Sequence, residues 1–453
     1  MLELDADQTA DVQRMLDAGR FGLFHEQGVG KTPPAIIAAS AMLPALITVP
    51  AYLIPQWEKR IKQWVPGATV SCVNGDGFEA RNKQLLAGAD FTLISYNTWA
   101  PGKNRPQFTA LHKVPWGSFT FDEGHRLRGH SSSWTKAVWQ LDNADCKNRD
   151  KPKWLLSGTP LVRDGGDLYP FLHICDRQLY SSYWSFVEKH CVVENTPWEQ
   201  KIGKLKDPHA FYEMLARYST RRELTGVDDY VEDIVPVTLP KSVYDAIKKM
   251  KKEFVLEHPD MTEPEYFDHM GAILSKARQI TSVPPTAVKP KIDAMAGIVE
   301  DLPKDRVIVF CWFRDTANEC FTRISKMRSA LTGKPRPVAL FTGDTRTSAK
   351  VEAIDMYDKY QDGVIVATIA ALKEGADLQA GHHSIFVEED WLSEVNAQAI
   401  GRQRRRGQTK PVVVHRILAD KSVDHMVSKA ASNREQDIRG LMKEYILGSS
   451  EYE

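Results

Sequence analysis

The feature that most restricts what this chain can fold into is the run His25-Glu26-Gln27-Gly28-Val29-Gly30-Lys31-Thr32. It follows an apolar stretch, Phe21-Gly22-Leu23-Phe24, and precedes a helix-like segment from Ala35 to Met42. Strand, glycine turn and a Lys-Thr that opens a helix make the context of a phosphate-binding loop. Glycines let the backbone aim N–H groups at a polyphosphate, and the helix start adds partial positive charge. Lys31 adds a full charge, and the Thr32 hydroxyl suits Mg²⁺. The complete pattern would carry glycine at His25, so the match is Gly28-x-Gly30-Lys31-Thr32. A glycine-rich turn whose Lys and Thr only cap a helix is the alternative reading.

Length and charge bound the rest. A chain of 453 residues is too long for one core and suits two α/β domains with connections. Lysine plus arginine total 59, as do aspartate plus glutamate, so a polyanion partner must be held by a local basic surface. The six cysteines form no C-x-x-C pair, as expected of free thiols in a reducing compartment. There is no long apolar run and no charged-then-apolar leader, so the expectation is an intracellular protein of cytoplasm or nucleoid, away from membranes.

Taken in order, Leu4 to Leu16 reads as an amphipathic helix that carries Gln8. A glutamine can read an adenine edge, because its amide both donates and accepts; an exposed surface glutamine is the plainer reading. Ala45 to Val49 is an apolar strand closed by Pro50, and Tyr52 to Trp64 a helix whose Trp57, Ile61 and Trp64 suit core packing. Phe91 to Tyr96 is a third strand. Ser118 to Phe121 is a fourth, running into Asp122-Glu123-Gly124-His125, and Trp154 to Leu156 a fifth, running into Ser157-Gly158-Thr159-Pro160. Alternating strands and helices imply a mostly parallel sheet, which puts each polar motif at a strand's carboxyl end, where such sheets bind ligands. One carboxylate of the Asp-Glu pair can hold Mg²⁺ while the other orients the attacking water.

From Asp164 to Thr220 the pattern is helical and aromatic-rich, and Tyr218 to Arg222 closes a first domain of residues 1–225. Residues 226–288 read as a linker or insertion: a strand-like stretch, Asp233 to Thr238, then helices over Lys241 to Leu256 and Tyr266 to Ile280. Residues 289–453 repeat the alternation, with strands at Val307 to Phe310, Val338 to Phe341, Gly363 to Ala367 and Ser384 to Val387, and no second phosphate loop. A basic run follows, Gln398 to Gln408. On a helix, Arg402 and Arg405 would share a face, and paired guanidiniums suit the charge of a transferring phosphoryl group. Arg404 and Arg406 read equally as a patch for a polyanion backbone.

These motifs, in this order, resemble superfamily 2 helicase-like ATPases, in the chromatin-remodeller (switch/sucrose-nonfermenting) branch of double-strand DNA translocases. The likeness runs from Gln8 to Gln408. Glu26 to Thr32 resembles the family's first motif, Asp122 to His125 its Asp-Glu-x-His box, and Leu155 to Pro160 its third motif. Pro50 to Trp57 with Glu58, Gly375 to Leu378 with Asp390-Trp391, and Gln398 to Gln408 are more specific to the branch. His25 stands where the family has an acid, Gly124 where alanine is common, and Asp377 where asparagine is usual.

The resemblance implies two tandem RecA-like α/β lobes with parallel sheets flanked by helices, and an ATP site in the cleft between them. ATP and Mg²⁺ would lie on Gly28, Gly30, Lys31, Thr32 and Asp122, with Gln8 and Gln398 as further nucleotide contacts. Glu123 would orient water, and Arg402 and Arg405 would complete the site. Ser95, Tyr96, Thr159, Thr368 and Arg404 would touch a DNA backbone, the four at strand ends serving otherwise as local caps. The implied partner is double-stranded or branched DNA, worked on by a monomeric motor like the compact bacterial or phage-encoded members. A strand-separating DNA or RNA helicase and an ATP-gated nucleic-acid clamp are the alternatives.

Overall fold

Strands buried at every position belong inside a sheet covered on both faces, and the chain has several. A computed structural model describes residues 2–74, 77–99, 111–112, 114–158, 165–195, 200–224, 230–253, 255–256, 261, 265–266, 270–372, 376, 378–425 and 427–428. Their contacts divide them into two units, one up to residue 225 and one from residue 226. Among the described residues no helix is long and apolar enough to cross a membrane.

The first unit is built on β1 (Arg20–Leu23), β2 (Ala45–Val49), β3 (Val70–Val73), β4 (Phe91–Ser95), β5 (Ser118–Asp122), β6 (Lys153–Leu156) and β9 (Ser219–Thr220), with a separate antiparallel hairpin of β7 (Cys191–Asn195) and β8 (Gln200–Leu205). The seven sheet strands lie in the order β3-β4-β2-β5-β6-β1-β9, and every pair is parallel. β2 and β4 are buried at every position. Phe24, Phe119, Phe121, Leu155, Phe171 and Leu172 join the core on the sheet. Because all strands run one way, Leu23, Ser95, Asp122 and Leu156 end along one edge, which gathers the loops that follow them. Three helices matter below: α1 (Ala6–Ala18), α2 (Thr32–Ser40) and α3 (Ile54–Trp64). α2 starts three residues earlier than Ala35, because Pro33 and Pro34 sit in its first turn, where a missing N–H costs nothing.

The second unit holds β10 (Val231–Val237), β13 (Val307–Cys311), β14 (Val338–Phe341), β15 (Val364–Thr368), β16 (His383–Phe386) and β17 (Val413–Ala419), in the order β10-β17-β16-β13-β15-β14. Again every pair is parallel. β11 (Val255–Leu256) and β12 (Glu265–Tyr266) pair antiparallel beside the helices Lys241–Glu253 and Met270–Ser282. The strand-like stretch of residues 233–238 is β10, and it pairs with β17 along its whole length.

Candidate nucleotide-binding site

The loop after β1 carries the first group of functional side chains. Gly28 and Gly30 hold φ values of +84° and +95°, which only glycine adopts without strain. Gly30 has a second constraint, since a Cβ there would lie 2.8 Å from Gln8 Nε2. That amide donates to the Gly30 carbonyl at 3.2 Å, so Gln8 is engaged with the loop rather than standing on the surface. Asp5 and Gln8 cap one another at the start of α1, which fixes the glutamine's position. Lys31 Nζ donates to the carbonyls of His25 and Glu26 at 2.9 and 3.1 Å, so the loop's own backbone holds the ammonium.

His25, where the complete pattern would carry glycine, is 1 % exposed, and its Nε2 meets Asp11 Oδ2 of α1 at 2.8 Å. Arg222 donates to the other oxygen of Asp11, and Glu26 accepts the Leu224 N–H at 2.8 Å. A neutral His25 follows, since burial pulls its pKa down more than Asp11 raises it. The histidine therefore ties the phosphate loop to α1 and to the segment after β9.

β5 delivers Asp122 and Glu123 at the same edge. Asp122 is half-buried: Oδ2 accepts from Trp57 Nε1 at 2.9 Å, Oδ1 from the Glu123 N–H at 3.0 Å, and its carbonyl from Tyr96 OH at 2.7 Å. Burial, then the Glu123 charge, raises its carboxyl to about 6, against the Trp57 hydrogen bond and the Lys31 charge. Glu123 sits at φ +52°, a strained conformation for this side chain, and such strain is concentrated at functional sites. His125 Nδ1 lies 3.4 Å from Glu123 Oε2 and 3.4 Å from Ser157 Oγ, so it stands between the acid pair and the loop after β6. A Cβ on Gly158 would come within 2.9 Å of Gln27 Cγ, which packs that loop on the phosphate loop.

α3 contributes two residues that the sequence reading left to the core or unmentioned. Trp57 and Arg60 are one turn apart and share a face. Trp57 holds Asp122, and Arg60 NH1 donates to Thr32 Oγ1 at 3.0 Å. One helix face thus touches both proposed metal-holding oxygens. The signal was present: Trp57 closes the branch-specific Pro50–Trp57 segment, and Arg60 follows at helical spacing. A half-buried carboxylate, a threonine hydroxyl, a lysine ammonium and a glycine loop are the donor set that Mg²⁺ with a polyphosphate requires, so these residues fit that cofactor.

In the second unit, Gln398 is 7 % exposed on the helix Ser393–Ile400. That helix stops at Ile400 with Gly401 as its cap, so Arg402, Arg404 and Arg405 lie in the turns beyond it. The expected helical face shared by Arg402 and Arg405 is not formed, because the chain turns at Gly401. Arg402 is buried, and its carbonyl accepts the Leu378 N–H at 3.1 Å. Arg405 Nε donates to the Gly401 carbonyl at 3.0 Å and its NH2 reaches Ala376 O at 3.4 Å. Gln408 Nε2 bonds the carbonyls of Gln379 and Gly381, so the basic run is folded against the stretch around Leu378.

The residues expected at a DNA backbone are mostly turned inward. Ser95 Oγ meets Thr98 Oγ1 at 3.1 Å, Tyr96 is 2 % exposed with its hydroxyl on Asp122, and Thr368 is 5 % exposed. Arg404 is half-buried. Thr159, Gly375 and Asp377 lie outside the described residues.

Comparison with known proteins adds a family. Residues 14–258 match the SNF2-related domain, and residues 290–407 match the helicase conserved C-terminal domain. A CHD3-type chromatin-remodeling factor of Arabidopsis thaliana is 22% identical, covering 91% of this chain and 35% of that protein. An uncharacterized ATP-dependent helicase of Mycoplasma genitalium is 22% identical over 95% of this chain and 41% of its own length. An SWI/SNF-related regulator of chromatin, subfamily A-like protein 1, of Drosophila melanogaster is 22% identical over 92% and 53%. The chain thus spans between about a third and about half of these relatives. Among solved structures, the Sulfolobus solfataricus SWI2/SNF2 ATPase core in complex with dsDNA is similar, with 17% identity, a TM-score of 0.43, and coverage of 99% of this chain and 95% of that one.

Proposed function

We propose that this chain, which belongs to the SNF2-related domain family, is an ATP-hydrolysing motor that tracks along double-stranded DNA and moves branch points in it. The observation that carries the reading is the hold of α3 on the reactive edge. The branch-specific segment ends in Trp57, and Trp57 bonds the carboxylate that closes the phosphate-binding group.

In this reading Lys31 and the N–H groups around Gly28 and Gly30 bind the nucleotide's phosphates. Thr32 and Asp122 would hold Mg²⁺, which would supply charge neutralisation for the phosphoryl group. Glu123 accepts a proton from the attacking water. His125 lies between Glu123 and Ser157, so a shift of the acid can be felt in the loop after β6. Arg402 and Arg405 keep, as part of the proposal, the role of stabilising charge on the phosphoryl group; this is worth roughly 10³–10⁵ in rate where such arginines act.

Branch movement is favoured over strand separation by energy. Stacking runs at roughly 1.4 kcal/mol per step, and unwinding without re-pairing needs that at every step. A motor that tracks on intact duplex and meets a junction re-pairs strands behind as it parts them ahead, so the cost nearly cancels. The test compares a movable four-way junction with a plain partial duplex of equal length, each with ATP. Junction migration with poor unwinding of the plain duplex is expected. Efficient unwinding of the plain duplex without junction preference would make the protein a strand-separating helicase. Backbone gripping also predicts DNA affinity that falls steeply with salt.

A further inference from the structure

The edge of the second sheet where the strands begin carries another set of ligating side chains, at the opposite end from the strand-end loops. Asp305 leads into β13, His382 leads into β16, and His383 is the first residue of β16. The two strands are neighbours, with Val307 opposite His383. One donor atom from each of Asp305, His382 and His383 lies within 4.8 Å of the other two, and all three residues are half-buried.

The orientation of His383 is set by a relay. Asp233 on β10 stands opposite His415 on β17, and its Oδ2 lies 2.7 Å from His415 Nδ1. A carboxylate only accepts, so His415 Nδ1 carries a hydrogen, and in a neutral imidazole Nε2 then keeps the lone pair. That Nε2 lies 3.3 Å from His383 Nδ1, which therefore donates to it. His383 is left with its lone pair on Nε2. A carboxylate that fixes a ligating imidazole through its far nitrogen is what metal sites use to set the tautomer. The other two members are uncommitted: among the described residues neither the Asp305 carboxylate nor the His382 ring has a hydrogen bond or ion pair, and Arg336 meets Asp305 at its backbone carbonyl, not its carboxylate.

We propose that Asp305, His382 and His383 form a binding site for a divalent first-row transition metal, with Zn²⁺ the best fit. Two imidazoles and one carboxylate suit such ions, whereas Mg²⁺ prefers an all-oxygen set. Ligands about 2.0–2.2 Å from a tetrahedral Zn²⁺ stand about 3.4 Å apart, so the three side chains close on the ion by small rotations. Lys410 adds positive charge near both rings, and Asp305 acts on them with the opposite sign. Bound metal would fasten the start of β13 to the start of β16, stiffening the second sheet without entering the phosphate chemistry.

The test titrates the metal-stripped full chain with Co²⁺ and then displaces it with Zn²⁺. One equivalent of Co²⁺ should give visible d–d absorption without the near-ultraviolet thiolate band, and Zn²⁺ should remove the signal and raise the melting temperature. His382→Ala and Asp305→Asn should each weaken binding at least tenfold. His415→Ala, which removes the ring bonded to His383 Nδ1, should weaken it by roughly 10–100-fold. Asp305→Asn keeps the side chain's shape, so it decides the matter should His382→Ala fail to fold. No stoichiometric binding, a thiolate band, or unchanged affinity in Asp305→Asn would overturn the site.

Discussion

Trp57→Phe tests whether α3 controls the half-buried acid. The substitution keeps most of the ring in a position that is 2 % exposed, and removes only the indole N–H that reaches Asp122 Oδ2 at 2.9 Å. A hydrogen bond to a charged group contributes about 1.5–3 kcal/mol, and each pH unit of displacement corresponds to about 1.36 kcal/mol. Loss of the donor should therefore move the Asp122 titration upward by about one to two pH units. With the parent carboxyl at about 6, some nine-tenths of it is ionised at pH 7; in the variant the fraction falls to between about a half and about a tenth. Only the ionised form can hold a metal, so Mg²⁺-dependent nucleotide binding and DNA-stimulated hydrolysis should drop about twofold to tenfold at pH 7 and recover towards pH 9. Stability runs the other way with pH, because the lost hydrogen bond serves the ionised form. The folded-state pKa of Asp122 is raised above the usual 3.8, so its contribution is fullest below about 4 and declines as pH rises through about 6. The variant extends that decline to higher pH, and its melting temperature should fall further behind the parent at pH 8 than at pH 5. A deficit independent of pH would show that Trp57 serves packing alone.

Lys31→Ala should lose nucleotide binding, because the ammonium contacts phosphate before reaction, whereas Glu123→Gln should bind nucleotide and DNA yet fail to hydrolyse; turnover by Glu123→Gln near the parent rate would remove the base assignment. Gly30→Ala meets both a φ of +95° and the Gln8 amide at 2.8 Å, so it should weaken nucleotide affinity at least tenfold, while Gln8→Ala in the same background should recover only the steric part. Arg60→Ala removes a cation from Thr32 Oγ1, and the Mg²⁺ concentration for half-maximal nucleotide binding should fall a few-fold. A rise instead would mean that Arg60 assists phosphate rather than competing for the hydroxyl.

The parallel sheets and their reactive edge were legible because strands such as Ser118–Asp122 and Lys153–Leu156 run directly into polar motifs, Glu123-Gly124-His125 and Ser157-Gly158. β3 was missed, since Val-Ser-Cys-Val is four residues long and only half-buried at most positions. β17 was missed because His415-Arg416 breaks its apolar run just after the basic stretch. The hairpin of β7 and β8 was hidden in an aromatic-rich stretch that reads as helical, where tertiary packing overrides local pattern. At the site, Lys31, Thr32, Asp122 and Glu123 follow from local spacing. The ties between Trp57 and Asp122, Arg60 and Thr32, and Asp11, His25 and Arg222 join residues distant in sequence, and no local period encodes them. The face expected for Arg402 and Arg405 failed for a local reason, the helix end at Ile400.

Displacement of the third strand from a DNA triplex by the full chain tests the motor most directly, since a third strand can be stripped by movement along the duplex without parting the duplex itself. With ATP and Mg²⁺ the parent should displace it, while Glu123→Gln, though bound to the same DNA, should leave it in place. Displacement by the Glu123→Gln variant at the parent rate, or its absence in a parent whose ATP hydrolysis is stimulated by that DNA, would contradict ATP-driven tracking.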